Sequence, residues 1–359
     1  MDDVVSLLSL ALLPGIPPRS ARELLARGPL AETLARPQDH ADLLGAEAVS
    51  ALRSGVTRRA AAAQAAKARQ AGVTIVGRDD SHYPLWLRDT HTPPLVLWVK
   101  GQLVADEGAK AVAVVGSRAA TPLGRAFGER LAGELAASGL VVVSGLARGI
   151  DAAAHRGVLR ARGRTVAVLG SGLDRIYPPE HAPLAERVAE TGAVVSEFPL
   201  GTQPWKSNFP RRNRVIAGWA RAVVVVEAGA KSGALSTARA AADEGRDVMA
   251  VPGHPSEPQA EGTNALLRDG AALVRGSPDV LAELGLLEAR APEPASSDPV
   301  LRALVKGVPA RVDEIQERSG LALPVVLARL SELELTGAVA RLSGGLFARD
   351  APPHGYTRR

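Results

Sequence analysis

The chain of 359 residues contains no cysteine. This absence excludes a disulfide framework, a thiolate nucleophile and cysteine-ligated zinc, and it favours a reducing compartment. Aromatic residues make up only 3% of the chain, and 43 Lys and Arg face 38 Asp and Glu. The resulting net charge of +5 is compatible with a nucleic-acid partner but does not require one.

Long apolar runs are also missing. The most apolar stretch near the start, residues 1–13, opens with Asp2 and Asp3 where a secretory signal would carry Lys or Arg. Pro14-Gly15 ends this stretch, which is too short to cross a bilayer. We therefore expect a buried helix in a cytoplasmic protein that has no membrane partner.

Common catalytic motifs are absent as well. The seven histidines form no HExxH spacing, no GxSxG or GxxxxGK[ST] segment occurs, and Gly170-Ser171-Gly172 lacks the rest of a dinucleotide fingerprint. Asp151 and Asp174 are candidate acid–base groups, although Asp151 is expected to cap a helix. The absence of these motifs predicts that the protein binds no metal ion and no cofactor.

The composition divides the chain into three predicted domains. Residues 1–70 are rich in Ala and Leu and predict an all-helical domain, whereas residues 71–290 alternate β-branched runs with Ala-rich stretches. Residues 291–299 form a Pro/Ser/Ala linker, residues 300–350 predict a winged helix, and residues 351–359 predict a flexible tail.

The central domain is predicted to be a doubly wound α/β fold with a Rossmann-like parallel sheet. Its strand-like runs are apolar on both faces, which is typical of strands buried between two layers of helices. The predicted strands are residues 73–76, 95–99, 111–115, 140–144, 165–169, 193–196, 222–227, 248–251 and 272–274.

The N-terminal domain contains a segment, residues 12–25, that resembles a helix-hairpin-helix of the SAM-like class. The DNA-binding version of this motif offers backbone N–H groups to a phosphate. Pro17 and Pro18 occupy the turn here, and proline has no N–H to offer. A structural role is therefore predicted for this hairpin.

The C-terminal domain is predicted to contain helices at Val300–Lys306, Val312–Arg318 and Pro324–Thr336, followed by a wing around Gly344-Gly345. The candidate recognition helix carries one cation, Arg329, and several exposed apolar side chains are expected on it. A helix that reads DNA needs more Arg, Lys, Asn or Gln than this. We expect the winged helix to dock a protein, although a weak duplex contact stays open.

Glycine-rich loops follow four of the predicted strands. Gly116-Ser117-Arg118, Ser144-Gly145, Gly170-Ser171-Gly172 and Lys231-Ser232-Gly233 each combine glycine with a small hydroxyl residue. Glycine lets backbone N–H groups approach an anion, and the carboxyl ends of parallel strands meet at one edge of a sheet. These loops predict a phosphate-bearing ligand, with ordinary turn chemistry as the alternative.

The segment 198–226 contains cations and no acid, together with four of the protein's eleven aromatic residues. Cations interleaved with aromatics suit single-stranded nucleic acid, because charge follows the backbone and flat rings stack on bases. Phe198 and Trp219 are expected to be buried, whereas Trp205, Lys206 and Phe209 are expected in an exposed loop that contacts the ligand. The cations of the segment are Lys206, Arg211, Arg212, Arg214 and Arg221.

Five long segments resemble the DNA processing protein A family, DprA, also called Smf. They are GSRAATPLG (116–124), SGLARGIDAAAHRG (144–157), GSGLDRIYPPEH (170–181), SEFPLGTQPWKSNFPRRNRVIAG (196–218) and EAGAKSGALSTARAAADEGRDVMAVPG (227–253).

The resemblance implies a protein that is not an enzyme. It implies a homodimer, formed through the Rossmann-like domain, that binds single-stranded DNA entering in natural transformation, protects it and helps to load the RecA recombinase. The residues that match the DNA-contact positions are Gly116, Ser117, Arg118, Lys206, Phe209, Arg211, Arg212, Asn213 and Arg214, and the pocket is completed by Ser144, Gly145, Lys231, Ser232 and Gly233.

Two other function classes remain open at this point. One is a nucleoside-monophosphate phosphoribohydrolase resembling the LOG proteins, although residues 227–237 lack the Gly-Thr pair and following glutamate of the PGGxGTxxE signature. The other is a winged-helix transcription factor, which would leave the large central domain without a role.

Overall fold

Two compact units make up the chain, Met1–Leu286 and Leu287–Arg359. The predicted tail and residues 291–297 of the predicted linker lie outside the described residues. The computed structural model describes residues 2–13, 15–286, 298–304, 309–342 and 344–349.

The first unit holds one mixed sheet and the helices that cover it. The strands are β1 (Thr74–Gly77), β2 (Val96–Gly101), β3 (Ala111–Val115), β4 (Val141–Ser144), β5 (Thr165–Leu169), β6 (Ala193–Ser196), β7 (Ala222–Val225), β8 (Asp247–Ala250) and β9 (Ala272–Leu273). Each falls on a strand predicted from the sequence. The helices are α1 (Asp2–Ala11), α2 (Pro18–Ala26), α3 (Leu30–Ala35), α4 (Ala41–Arg53), α5 (Val56–Gln70), α6 (Leu85–Arg88), α7 (Pro122–Ala137), α8 (Ile150–Arg160), α9 (Ala182–Thr191), α10 (Asn208–Trp219), α11 (Ala234–Asp243), α12 (Glu261–Arg268) and α13 (Ser277–Glu283).

The sheet has the order β1-β2-β6-β5-β4-β3-β7-β8-β9. From β3 the chain builds β4, β5 and β6 toward one edge and then returns to place β7, β8 and β9 on the other side of β3. The strands from β6 to β9 in this order are parallel. The loops after β3 and β7 therefore diverge at the point where strand order reverses, which is where ligands bind in such sheets.

The two strands at one edge depart from the predicted parallel arrangement. β1 pairs with β2 antiparallel, and β2 pairs with β6 antiparallel. A parallel connection needs a crossover of about a dozen residues or more, usually a helix that covers the sheet. Between β1 and β2 the chain forms only the four-residue helix α6, and it returns in the opposite direction.

Apolar side chains pack on both faces of the central strands. Along β3, Ala113 and Val115 belong to the core that contains Ile216 of α10, whereas Val112 and Val114 belong to the core on the opposite face. This alternation is the two-residue period of a strand buried on both sides. A fully buried valine of this kind contributes about 1.5–3 kcal/mol through burial.

Helix α10 begins at Asn208 and so includes Phe209, which was predicted to lie in an exposed loop. Its first turn contains Pro210, and proline is tolerated there because the first N–H groups of a helix have no partner within the helix. Phe209 is consequently a half-buried residue on a helix, whereas Trp205 precedes the helix and is 63% exposed. Phe198 and Trp219 are buried, as expected.

Helices α1 to α5 belong to the same compact unit as the sheet. Leu7 and Leu8 of α1 and Ala61 and Ala68 of α5 share a core with Trp98 of β2. Residues 12–25, predicted as a helical hairpin, contain most of α2, and α1 ends just before them at Ala11. Among the described helices, none has both the length and the apolar composition needed to cross a membrane.

The second unit has the arrangement of a winged helix. Its helices and strands pack around a small core that contains Ile315, Val326, Leu330 and Phe347. The elements are α14 (Pro299–Ala303), β10 (Ala310–Arg311), α15 (Val312–Ser319), α16 (Leu323–Leu335), β11 (Val339–Arg341) and β12 (Leu346–Arg349).

Candidate nucleic-acid interface

A cavity of about 830 Å³ lies where the strand order reverses. Its walls come from the loop after β3, the loop after β7, the first turns of α10 and α11, and the segment at the start of α12. Residues 116–118 and 231–233, predicted from the sequence to bind phosphate, line it together with Phe209. The structure therefore brings these residues together in one cavity, and their role in binding phosphate stays a prediction.

The loop after β3 is held rigidly against its neighbours. A Cβ on Gly116 would lie 2.5 Å from a side-chain carbon of Ile150, so only glycine fits there. The backbone N–H of Ser117 donates to the carbonyl of Glu227 at 2.6 Å, and the Ser117 hydroxyl donates to Gln259 at 3.1 Å. Arg118, the next residue, is exposed and lines the cavity from a fixed backbone.

Three exposed cations line the cavity: Arg118, Lys206 and Lys231. Within the described part of the chain, no salt bridge engages any of them. The Arg118 guanidinium carbon lies 4.5 Å from the centroid of the Phe209 ring. Such a pair offers a phosphate a charged hydrogen-bond donor next to an aromatic face.

Arg212 lies beneath the cavity and is only 4% exposed. One of its terminal nitrogens donates to the carbonyls of Gly145 and Val168, at 2.5 and 2.7 Å, and its Nε donates to the Asn213 side chain at 3.0 Å. Burial lowers the pKa of Arg212 to about 10, a value that still leaves it charged at neutral pH. Arg212 thus fixes the loop after β4 from below and presents little surface to a ligand.

Asp151 occupies the first turn of α8 and does not cap it, because the N-cap residue is Gly149. Its carboxylate accepts from the backbone N–H groups of Gly145 and Ala147, at 3.1 and 3.4 Å. Burial raises the pKa of Asp151, and the charge of Arg212 opposes that shift. The prediction that Asp151 caps α8 is therefore wrong. Its carboxylate instead orders the loop that precedes the helix.

Arg211 and Arg214 share one acidic partner, Glu197, which lies one residue before the acid-free segment. The Glu197 carboxylate is 3.4 Å from Arg211 and also accepts from Arg214, which in turn donates to the carbonyl of Thr92. Arg211 also lies over the buried Phe198 ring, 4.9 Å from its centroid. These two cations do not line the cavity, and they are already partly neutralised.

Other predicted site residues have structural contacts instead of open surfaces. Ser144 is fully buried and its hydroxyl donates to the carbonyl of Val114 at 2.7 Å. Gly145 lies next to Arg212, and a Cβ there would lie 2.0 Å from the guanidinium.

Asn213 lines the cavity, and its side-chain amide donates to Gly233 and Ser236. These two hydrogen bonds hold the loop after β7. Trp205 lies outside the lining.

Gln259 and Glu261 line the cavity and were not identified from the sequence. They follow β8, so the rule that ligands bind after the carboxyl ends of parallel strands would have found them. The Gln259 carbonyl oxygen accepts from Ser117, and Glu261 places a carboxylate at an otherwise basic rim. An amide and a carboxylate can accept hydrogen bonds from the edges of nucleobases.

The lining combines three exposed cations, an aromatic ring and a few polar acceptors. Cations bind phosphates, a ring stacks on a base, and this combination is typical of single-strand binding. The three exposed cations come from three separate segments: the loop after β3, the residues before α10 and the loop after β7.

Comparison with known proteins identifies relatives over most of the chain. Residues 74–285 match the family model described as DNA recombination-mediator protein A, and residues 286–345 match the model described as the DprA winged helix domain. Protein Smf of Escherichia coli is 42% identical over 285 residues, which cover 76% of each chain. The DNA processing protein DprA of Bacillus subtilis is 38% identical over 216 residues, 60% of this chain and 73% of the relative.

Two solved structures of relatives also match. DNA processing protein A of Streptococcus pneumoniae is 35% identical with a TM-score of 0.63, and the match covers 76% of this chain and 95% of that one. The protein from Helicobacter pylori, described for its single-stranded DNA binding mode, is 28% identical with a TM-score of 0.53. That match covers 59% of this chain and 95% of the other.

Proposed function

The chain belongs to the DNA recombination-mediator protein A family, known as DprA or Smf, and we propose that it binds single-stranded DNA in the cavity between β3 and β7. Members of this family are DNA-binding processing proteins and are not known enzymes. The relative from Helicobacter pylori is described as binding single-stranded DNA.

One observation carries the proposal: Arg118, Lys206 and Lys231 converge, unpaired within the described residues, on a cavity that also contains Phe209. A duplex keeps its bases stacked inside. It can place a base on Phe209 only if that base is flipped out of the helix, which costs the free energy of unpairing and unstacking. A single strand presents phosphates and bases together, so it satisfies both the cations and the ring.

The family resemblance also supports a proposal about where the protein acts, how it assembles and what it does with the bound DNA. We propose that the protein acts in the cytoplasm as a homodimer formed through the α/β unit. It protects single-stranded DNA that enters in natural transformation and helps to load a RecA-type recombinase on it. Light scattering of the purified protein tests the dimer, and a nuclease-protection assay with and without recombinase tests the other two steps.

Binding is tested by fluorescence anisotropy with labelled single- and double-stranded oligonucleotides across a salt series. We expect tighter binding to the single strand, and Arg118→Ala should weaken it by about 1.5–3 kcal/mol, the range for hydrogen bonds to charged groups. Arg187→Ala on α9 is the matched control, because Arg187 is exposed and lies outside the lining. Unchanged affinity in a folded Arg118→Ala protein would remove Arg118 from the site.

The hydrolase alternative receives no support from the loop after β7. Glu227, the acid that precedes this loop, is engaged with Thr121 by accepting from its N–H at 2.9 Å and from its hydroxyl at 2.6 Å. Incubation of the protein with nucleoside monophosphates should release no free base, and release of base that depends on the cavity residues would restore the alternative.

A further inference from the structure

Beyond Phe209 the binding surface continues into a narrow cleft, in which the family resemblance assigned no role to Tyr177 or Arg148. Phe209 and Arg118 line this cleft as well as the large cavity, and its other walls include Tyr177 and Arg148. The cleft contains about 20 Å³, room for about one water molecule, so a base cannot enter it. A nucleotide that passes Phe209 would instead lie across the outer surface of the cleft.

Tyr177 provides an aromatic surface at that place. Its ring centroid is 6.0 Å from that of Phe209, the two rings are tilted by 51°, and Tyr177 is 37% exposed. Neighbouring nucleotides are about 3.4 Å apart when stacked and farther apart in an extended strand. The two rings are therefore close enough to meet successive bases of one strand.

The loop that carries Tyr177 is tied down at several points. The Ser171 hydroxyl donates to the carbonyl of Arg175 at 2.6 Å, and the N–H of Gly172 donates to the carbonyl of Thr202 at 2.9 Å. The second of these bonds joins the loop to the segment that leads into Lys206. An aromatic side chain on an ordered loop loses little conformational entropy when a base stacks on it.

Arg148 and Glu180 form an ion pair beside Tyr177. Nε of Arg148 is 2.6 Å from the Glu180 carboxylate, and the two side chains are 55% and 52% exposed. A phosphate that passes Tyr177 would meet a cation that is already neutralised, next to a carboxylate that repels it. Glu180 therefore weakens the attraction that Arg148 would otherwise exert on the strand.

We propose that Tyr177 is a second stacking residue, which binds the nucleotide next to the one at Phe209, and that Glu180 restrains Arg148 and limits affinity at this position. The proposal rests on the proposed function, since it extends the same strand along the same surface. The competing explanation is that Tyr177 only supports the Phe209 ring.

The first test compares oligothymidylate with thymidine monophosphate, which occupies one position only. In the full-length protein, Tyr177→Leu keeps an apolar contact for Phe209 but removes the aromatic face. We expect it to weaken oligothymidylate binding by about five- to 150-fold, the equivalent of stacking one base. Binding of the mononucleotide should be unchanged, and Tyr177→Phe should bind both ligands as the wild type does.

An equal loss for both ligands would show that Tyr177 acts by supporting Phe209, and no loss for either would also overturn the inference. Arg118→Ala and Phe209→Ala separate this failure from failure of the proposed function. If they weaken binding while Tyr177→Leu does not, only the second stacking position is wrong. If they also leave binding unchanged, the cavity itself is not the DNA site.

Two further measurements do not require the Tyr177→Leu variant to fold. Light-induced crosslinking of an iodouracil-substituted oligonucleotide to the wild-type protein should modify Tyr177, and crosslinks that occur elsewhere but never at Tyr177 would contradict the proposal. Glu180→Gln should tighten oligonucleotide binding and steepen the log–log salt dependence by about 0.7, the increment for one more neutralised phosphate of a single strand. An unchanged salt dependence would exclude the restraint on Arg148.

Discussion

The side-chain amide of Gln64 pairs with the backbone of Leu200 by two hydrogen bonds. Its nitrogen donates to the Leu200 carbonyl, its oxygen accepts from the Leu200 N–H, and both distances are 3.1 Å. Nearby, Lys67 is 2.8 Å from Asp174, and Asp174 also accepts from the N–H of Gly201 at 2.6 Å. Helix α5 thus holds the segment that leads to Lys206 and to α10.

This arrangement predicts that an N-terminal residue affects DNA binding without touching DNA. Gln64→Ala should free the backbone of Leu200 and weaken single-strand affinity, with a stability cost of about 1–2 kcal/mol for two hydrogen bonds. The slope of affinity against salt should stay the same, because no phosphate contact is lost. Gln70→Ala, at the exposed end of α5, serves as the control in anisotropy and thermal unfolding. A change in slope would indicate a direct contact instead.

The second prediction separates free cations from paired ones. Lys206→Ala and Lys231→Ala should each reduce the log–log salt slope by about 0.7, the coefficient for one phosphate of a single strand. Arg211→Ala should reduce it less, because Glu197 already neutralises that side chain in part. Phe209→Ala should cost about 1–3 kcal/mol of binding with little change in slope, since stacking releases no counterions. Equal slope changes in all four variants would refute this division.

A third prediction concerns His155, which is fully buried in α8. The Thr165 hydroxyl donates to the carbonyl of Val142 at 2.7 Å, so at 2.8 Å it accepts from Nδ1–H of His155. Nε2 of His155 has no partner among the described atoms, so a second proton would be left without an acceptor. Burial, assisted by the charges of His181 and Arg212, lowers the pKa of His155 to about 3 from 6.5.

Below pH 6.5 the unfolded chain therefore binds a proton at His155 that the folded protein does not bind, and acid favours unfolding. Between pH 6.5 and about 3 this group should lower the free energy of unfolding by about 1.4 kcal/mol for each pH unit. His155→Gln should remove that component, so urea unfolding at a series of pH values should show a smaller acid sensitivity than the wild type. Parallel pH profiles for the two proteins would show that His155 does not titrate in this range.

The fourth prediction concerns the winged helix. Arg329, the one cation in the sequence of α16, is paired with Asp298 and Glu332, and Leu323, Leu327 and Leu335 are exposed. The helix is therefore poorly suited to reading DNA and better suited to binding a protein. A protein truncated after Leu286 should fold, because that residue ends the first compact unit, and it should retain nearly all single-strand affinity. A large loss of affinity in the folded truncation would place the winged helix in the DNA site.

Several features follow from the sequence alone. The nine β-branched runs coincide with the nine strands of the mixed sheet, because a segment that is apolar on both faces is most stable between two layers of helices. The loops at 116–118 and 231–233 were placed at one site by a single rule, namely that parallel strands end at the same edge of a sheet. Two of the five family segments, 116–124 and 227–253, contain these loops.

The state of each cation was decided by the tertiary structure. The sequence predicted a loop at residues 205–209 and assigned no helix to the arginines that follow, so it did not show on which face of α10 each of them lies. Arg211 and Arg214 are three residues apart on one face and both reach Glu197, whereas Arg212 points toward the buried carbonyls of Gly145 and Val168. A count of positive charges in the sequence treats all three as equivalent.

Phe209 and Arg118 are a second example of a contact that the sequence alone does not reveal. They come from distant parts of the sequence and form one cation–aromatic pair only because β3 ends and α10 begins at the same cavity. Local composition determined which residue types were present in each loop. The fold brings charged groups together from separate segments, and these partners decide which charges remain free. Charge interactions act through space over a few ångströms, so the pairing is decided by the tertiary structure.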